Sequence, residues 1–218
     1  MNIIAVNGSP RKDFNTGTLL KWAVDGALSK GASAEIVHLY DLSYKGCISC
    51  FNCKLKNGKS YGRCSVKDDL EPVLRKIEEA DALILGSPIF FSNVTGQMRC
   101  FIERLAFPYL VYDEQYSTLF KRKIPVGFIY TMGVNEKMME ELSYKKIFER
   151  TEFSLARIFG SIETMYVTDT YQFSTYSKYV APKFNVEAKA KRRREEFPKD
   201  CQRAYEMGER FAESKNSL

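Results

Sequence analysis

Short apolar runs alternate with amphipathic stretches along most of the chain. Five runs have the length and the β-branched content of strands: residues 3–6, 34–40, 82–85, 124–131 and 161–168, the last with the alternation of an edge strand that is exposed on one side. Between and after them, apolar residues recur at helical spacing over 18–30, 68–77, 94–105, 135–159 and 186–214. Strands that alternate with helices predict an α/β domain with a parallel sheet and helices on both faces.

The junction between the first strand and the first helix has the most specific local pattern. Gly8 and Pro10 end the strand, and a helix is predicted to begin near Gly17 with Asn15 or Thr16 as its cap. Such a turn directs backbone N–H groups and the positive end of a helix dipole to one point, which suits a phosphate. An ordinary β-to-α turn is the alternative interpretation. The side chains that could add donors are Ser9, Arg11, Asn15 and Thr16.

Three loops are predicted to meet at one edge of the sheet. They are residues 8–17, 87–94 and 131–136, and each follows a predicted strand. Because ligands of open α/β sheets bind outside the carboxyl ends of the strands, this edge is the predicted binding site.

Composition fits a globular protein without a membrane span. The chain has 218 residues, of which 44% are hydrophobic, and no apolar stretch approaches the roughly 18 residues that a span requires. It starts directly in the first strand, without the pattern of a signal peptide. We therefore expect a cytoplasmic protein that does not contact a membrane.

A net charge of +6 and a basic run over residues 189–194 raise the question of a nucleic-acid partner. Residues 186–218 contain nine Lys or Arg but also seven Asp or Glu, so a mixed-charge helix face in water is the favoured interpretation. We expect no nucleic-acid partner. A nucleic-acid-binding module is kept as the third functional alternative.

Four of the six cysteines lie close together in the sequence, at Cys47, Cys50, Cys53 and Cys64. Thiolates at three-residue spacing can hold an iron–sulfur cluster, and four thiolates can hold zinc. The third possibility is that no metal binds and that the thiols pack as small apolar groups. His38 is the only histidine, so the chemistry is expected to belong to a cofactor.

Two motifs resemble a known family. The segment from Gly8 to Thr16 and the run from Gly86 to Met98 are similar to the NADPH-dependent FMN reductases of flavodoxin-like fold, over roughly residues 1–170. The Cys47-x-x-Cys50-x-x-Cys53 pattern resembles their iron–sulfur flavoprotein branch, although ten residues separate Cys53 from Cys64, more than that branch's compact spacing.

The resemblance implies a three-layer sandwich whose five-stranded parallel sheet has the order 2-1-3-4-5. On this interpretation residues 1–218 form one FMN-binding domain with a cysteine-rich insertion at 44–66 and a C-terminal helical extension at 186–214.

The resemblance also implies which residues hold FMN. The phosphate would bind at Ser9, Arg11, Asn15, Thr16 and Gly17. The isoalloxazine ring would lie along Pro88, Ile89, Phe90, Phe91, Ser92 and Asn93, and its third side would be closed by Thr131, Met132 and Gly133. Ordinary core packing is the alternative for the two phenylalanines. No catalytic side chain is expected, because the flavin carries the chemistry.

The implied reaction is reduction of FMN by NAD(P)H through hydride transfer to N5, followed by reduction of a flavin, a quinone or a similar acceptor. The alternative is an electron carrier with an iron–sulfur cluster on the four clustered cysteines.

The implied partners are a small-molecule donor and acceptor and further copies of the chain, in a homodimer or homotetramer. The aromatic segments 107–122 and 170–185 are the candidate interfaces.

Overall fold

The computed structural model describes residues 1–214, which form six strands and seven α-helices. The strands are β1 (Asn2–Asn7), β2 (Ser33–His38), β3 (Ala82–Phe90), β4 (Asn93–Val94), β5 (Ile124–Thr131) and β6 (Gly160–Val167). The helices are α1 (Asn15–Ser29), α2 (Leu70–Glu79), α3 (Gly96–Ala106), α4 (Glu136–Glu141), α5 (Tyr144–Phe159), α6 (Val186–Glu195) and α7 (Phe197–Glu213). None of the helices in this described part is both long and apolar enough to cross a membrane.

Five parallel strands form the sheet in the order β2-β1-β3-β5-β6. This is the predicted order 2-1-3-4-5 when the five are numbered alone, and the flavodoxin-like fold is confirmed. The sixth strand, β4, is a two-residue strand that pairs antiparallel with the end of β3. Ile3, Ile4, Ala5 and Val6 of β1 are completely buried because helices cover both faces of this central strand.

Two apolar cores separate the three layers. Helices α2, α3 and α5 cover one face of the sheet, and α1 and α7 cover the other. Helix α7 includes Pro198 in its first turn, as the sequence predicts. The predicted C-terminal extension is therefore a structural layer of the domain.

The prediction of one helix over residues 135–159 is wrong. The structure has α4 and α5 there, separated by Leu142 and Ser143. Ser143 has a left-handed backbone with φ of 54°. A residue in this conformation cannot continue a right-handed helix.

Two local predictions around the strand ends are also wrong. Residues 86–93 are not a simple loop, since β3 continues to Phe90 and turns back through Phe91 and Ser92, which have φ of 48° and 66°. Asn15 and Thr16 do not cap α1, because they already lie in its first turn and Phe14 precedes them without a side-chain cap.

Candidate functional site

The loop after β1 is fixed by a short series of hydrogen bonds. The N–H of Ser9 donates to Asn7 Oδ1 at 2.9 Å, and the N–H of Arg11 donates to Ser9 Oγ at 3.1 Å. Asn7 Nδ2 lies 3.1 Å from His38 Nδ1, so the only histidine helps to position the loop. Ser9 therefore shapes the turn, and Asn7, which organises it, was not among the predicted site residues.

The first turn of α1 presents backbone donors with no protein acceptor. Within the described residues, no hydrogen bond takes up the N–H groups of Asn15, Thr16 and Gly17, although these residues are buried. A Cβ on Gly17 would lie 1.6 Å from the carbonyl oxygen of Lys12, so only glycine allows the loop to pack so closely. Unpaired buried donors at the start of a helix fit an anion such as a phosphate.

The three predicted loops do meet. Thr16 Oγ1 and Thr131 Oγ1 are 2.7 Å apart, which joins the first loop to the end of β5. Thr95 Oγ1 donates to the carbonyl of Gly8 at 2.7 Å, which joins the first loop to the β3–α3 connection. Thr95 also caps α3, so its position before a helical stretch was a signal that could have identified it.

The polar side chains of the loop after β1 already contact a distant segment. Arg11 Nη1 donates to the carbonyl of Gln172 at 2.8 Å, and its guanidinium lies 3.8 Å from the Phe14 ring centroid. Asn15 Nδ2 donates to the carbonyl of Tyr171 at 2.8 Å. Part of the 170–185 segment thus packs against the loop of its own chain.

The β3–β4 hairpin carries the residues predicted to lie along the flavin ring. Phe90 is 45% exposed and Phe91 is fully exposed, so the alternative that they belong to the core is wrong. The positive φ of Phe91 is unusual for a bulky residue, and such backbone conformations concentrate at ligand sites. Ile89 and Asn93, at the two ends of the hairpin, pair with Val94 and Phe90. Pro88 pairs with Thr131 on β5.

The loop after β5 forms the third side. Thr131 and Met132 are buried, and the N–H of Met132 donates to the carbonyl of Val167 at 3.0 Å. The carbonyl of Gly133 accepts a hydrogen bond from Lys189 Nζ at 2.7 Å. Lys189 is only 5% exposed and also forms an ion pair of 2.5 Å with Asp169.

The basic run on α6 is only in part the solvated face that the sequence predicts, since Lys191 and Arg194 are exposed but Lys189 is buried. Lys189 holds two loops together, as described above, and Arg192 forms an ion pair of 2.6 Å with Asp200. Arg193 donates to Asn15 Oδ1 at 3.1 Å, and Arg194 pairs with Glu195 at its exposed position. Most of this run therefore holds α6 in place beside the site. The spacing of apolar residues in the sequence could not predict these ion pairs and hydrogen bonds.

The four clustered cysteines line one small cleft, together with apolar groups that include Phe51 and Phe107. Cys47 and Cys50 are exposed and Cys53 is buried. Hydrogen bonding from the backbone of Asn52 lowers the pKa of Cys50, whereas burial raises the pKa of Cys53. Within residues 1–214 no three Cys, His, Asp or Glu side chains are placed to hold a metal ion, so neither zinc nor an iron–sulfur cluster has a preformed ligand set there.

A buried arginine closes the cysteine-rich insertion. Arg104 of α3 is 2% exposed, and its Nε donates to Cys64 Sγ at 2.9 Å. Its other nitrogens bind both carboxylate oxygens of Asp68 and the carbonyls of Lys45 and Val66. Burial alone would lower the pKa of Arg104, but the hydrogen bonds to Asp68 raise it overall. The guanidinium thus fixes both ends of the insertion.

The fold and the site together define a flavodoxin-like protein in which unpaired backbone N–H groups lie at the carboxyl ends of the parallel strands. Residues 1–153 match the family of NADPH-dependent FMN reductases, and the chain belongs to this family of flavoprotein oxidoreductases.

Curated relatives match over about half of the chain. An iron-sulfur flavoprotein of Methanocaldococcus jannaschii is 36% identical over 104 residues, which are 48% of this chain and 51% of the relative. An iron-sulfur flavoprotein of Archaeoglobus fulgidus is 44% identical over 104 residues, 48% of each chain. The matched region thus spans about half the length of these relatives.

Solved structures match over nearly the whole chain. An NAD(P)H:quinone oxidoreductase from Methanothermobacter marburgensis has a TM-score of 0.71 at 14% identity, covering 96% of this chain and 98% of that one. An azoreductase from Bacillus anthracis has a TM-score of 0.68 at 14% identity, covering 97% of this chain and all of that one. At this identity the likeness concerns the fold.

Proposed function

We propose that this chain binds FMN and uses NAD(P)H to reduce a flavin, a quinone or a similar small acceptor. The observation that carries the proposal is the set of three unpaired N–H groups at the start of α1, placed where the loops after β1, β3 and β5 meet. Membership in the FMN reductase family makes FMN the natural occupant of such an anion site.

In this proposal the loop after β1 holds the FMN phosphate. The N–H groups of Asn15, Thr16 and Gly17 donate to it, and Arg11 supplies positive charge beside it. Ser9 and Asn7 contribute by keeping the loop in shape. Because these donors are already in position, little ordering is required when the phosphate binds.

The ring is proposed to lie between the β3–β4 hairpin and the loop after β5. Backbone groups of residues 88–93 would face its polar edge, and the side chains of Phe90 and Phe91, which are exposed in this structure, would cover it. Thr131, Met132 and Gly133 close the opposite side. When bound, FMN supplies the redox chemistry, accepting at N5 the hydride that NAD(P)H gives up. The chain's own residues only bind and orient the reactants, so no side-chain acid or base is required.

Flavin titration and anaerobic kinetics test the proposal. The full chain should bind FMN stoichiometrically, and adding NADH or NADPH without oxygen should bleach the flavin absorbance at a rate that saturates with nucleotide. A chain that binds no FMN would refute the proposal. A chain that binds FMN but is not reduced by either nucleotide would refute the NAD(P)H step.

The cysteine cleft supports a second candidate function, an electron carrier with an iron–sulfur cluster. Cys47, Cys50, Cys53 and Cys64 all line the same cleft, beneath the Arg104 contact to Cys64. In this proposal they provide the four thiolate ligands, and because no three of them are placed to hold a metal ion in the described structure, their side chains must rearrange when the cluster binds. The relatives named iron-sulfur flavoproteins add to its weight.

Metal analysis separates the two candidates. Protein purified without oxygen should contain about four irons and matching sulfide per chain if it carries a [4Fe–4S] cluster. Cys50→Ser should then lose the iron while keeping FMN, and Cys201→Ser, at a buried cysteine outside the cleft, should keep both. Iron-free protein that is fully reduced by NAD(P)H would eliminate the electron-carrier candidate.

We further propose that the chain forms a homodimer or homotetramer. Exposed aromatic side chains support an interface on the 107–122 segment, where Tyr112 and Tyr116 project into solvent. Light scattering during size-exclusion chromatography should give a mass of about two or four times the 25.1 kDa of one chain. A monomer at micromolar concentration would contradict this.

A further inference from the structure

A second guanidinium lies beside the phosphate loop, contributed by α6 near the end of the chain. Arg193 Nη1 donates to Asn15 Oδ1 at 3.1 Å, and Asn15 is the first residue of α1. Its guanidinium also stacks on the ring of Phe197, 3.8 Å from the centroid. Phe197 is buried in the core against α1, so Arg193 is held at the N-terminus of α1 by packing as well as by hydrogen bonding.

Arg193 has no carboxylate partner within the described residues, unlike its neighbours Arg192 and Arg194. Arg11, within the loop, also has no carboxylate partner among the described residues, and its guanidinium donates to the backbone carbonyl of Gln172. Burial lowers the pKa of both arginines, which means that each would gain from a nearby anion. Two unneutralised guanidinium groups next to three unpaired N–H groups match the charge of a phosphate dianion.

We propose that Arg193 is the second cation of the FMN phosphate site and that it selects FMN over riboflavin. This inference rests on the proposed FMN binding. It assigns a ligand-recognition role to the C-terminal extension, which lies outside the residues 1–153 that match the family. Arg193 acts on the phosphate directly by charge and also orients Asn15 through its hydrogen bond.

Riboflavin and FMN, which differ only by the phosphate, provide the test. Dissociation constants for both are measured by flavin fluorescence quenching with the full chain freed of flavin, as wild type and as Arg193→Gln, Arg193→Lys and Arg194→Gln. Arg194→Gln is the matched control because it removes the same charge one residue away, at an exposed position paired with Glu195. Melting temperatures of the flavin-free proteins show whether each variant is folded.

Arg193→Gln is expected to weaken FMN binding about tenfold or more, the usual effect of losing a charge-assisted hydrogen bond, while riboflavin binding changes less than twofold. Arg193→Lys should recover part of the loss, and Arg194→Gln should leave both constants unchanged. If Arg193→Gln weakens FMN and riboflavin binding equally, or if Arg194→Gln weakens FMN binding as much as Arg193→Gln does, the role of Arg193 is overturned while the proposed FMN binding stands. A wild type that binds neither flavin would instead overturn the proposed function.

Discussion

At the scale of single residues, buried charges determine how the insertion is attached to the domain. Arg104→Met keeps the length of the side chain but removes every hydrogen bond to Asp68, Cys64, Lys45 and Val66. Removing one partner of a buried ion pair typically costs about 3–5 kcal/mol, and we expect a loss of that order in the free energy of unfolding. Urea denaturation measures it.

Arg99→Met is the control for Arg104, because it removes an arginine from the same helix. Arg99 forms an exposed pair with Glu103 one turn away, and such pairs contribute about 0.5 kcal/mol or less. If the two variants lose equal stability, the insertion is not held by Arg104.

A buried carboxylate on α5 predicts a pH-dependent stability. Burial raises the pKa of Glu152, which accepts a hydrogen bond of 2.9 Å from Tyr166 Oη. The folded state therefore keeps this proton at pH values where the unfolded chain has released it, so the stability contribution of Glu152 falls as pH rises above the ordinary carboxyl range. Glu152→Gln keeps an acceptor for Tyr166 without the charge.

The variant Glu152→Gln should be more stable than wild type at pH 8 by on the order of 1 kcal/mol. The difference should largely disappear near pH 4, where the Glu152 carboxyl is mostly protonated in the folded and in the unfolded state alike. Thermal unfolding from pH 4 to pH 8 checks this. A difference that does not depend on pH would show that the charge of Glu152 is not the cause.

At the scale of elements, the sequence predicts the regular parts well and the turns poorly. All five parallel strands and the convergence of three loops follow from apolar periodicity and from the rules of α/β folds, whereas the strand order follows from the resemblance to the family. The break at Ser143 and the hairpin at Phe91 and Ser92 do not, because non-glycine residues with positive φ carry no sequence signal. The partners of Arg104 and Arg193 lie at long range, which no local pattern reveals.

The α4–α5 break gives a prediction at this scale. Ser143→Gly should raise the free energy of unfolding by about 0.5–1 kcal/mol, since glycine adopts a left-handed conformation without the clash that a Cβ meets. The hydrogen bonds at the break use backbone atoms and are retained. Ser143→Ala, which keeps the Cβ, should change stability much less. Equal values for the two variants would mean that the backbone at Ser143 is not strained.

At the scale of the whole molecule, the contact between α1 and α7 connects the C-terminal extension to the binding site. The two helices cross at glycines: a Cβ on Gly208 would lie 1.8 Å from the carbonyl oxygen of Ala23, and one on Gly26 would lie 2.0 Å from that of Tyr205. Helix α1 begins at the loop after β1, and α6, which precedes α7, carries Arg193. We therefore expect a separation of α7 from α1 to change the geometry of the proposed phosphate site.

Gly208→Ala should consequently destabilise the protein by about 2 kcal/mol or more, because the clash is with backbone, and it should also weaken FMN binding. Gly96→Ala is the control, since a Cβ at that helical position meets nothing within 4 Å and should leave stability unchanged or slightly higher. Melting temperatures and FMN titrations of both variants test the connection. If Gly208→Ala lowers the melting temperature but binds FMN as tightly as Gly96→Ala, the extension supports the fold without shaping the site. In that case the loop that precedes α1 keeps its position even when the contact between α1 and α7 is strained.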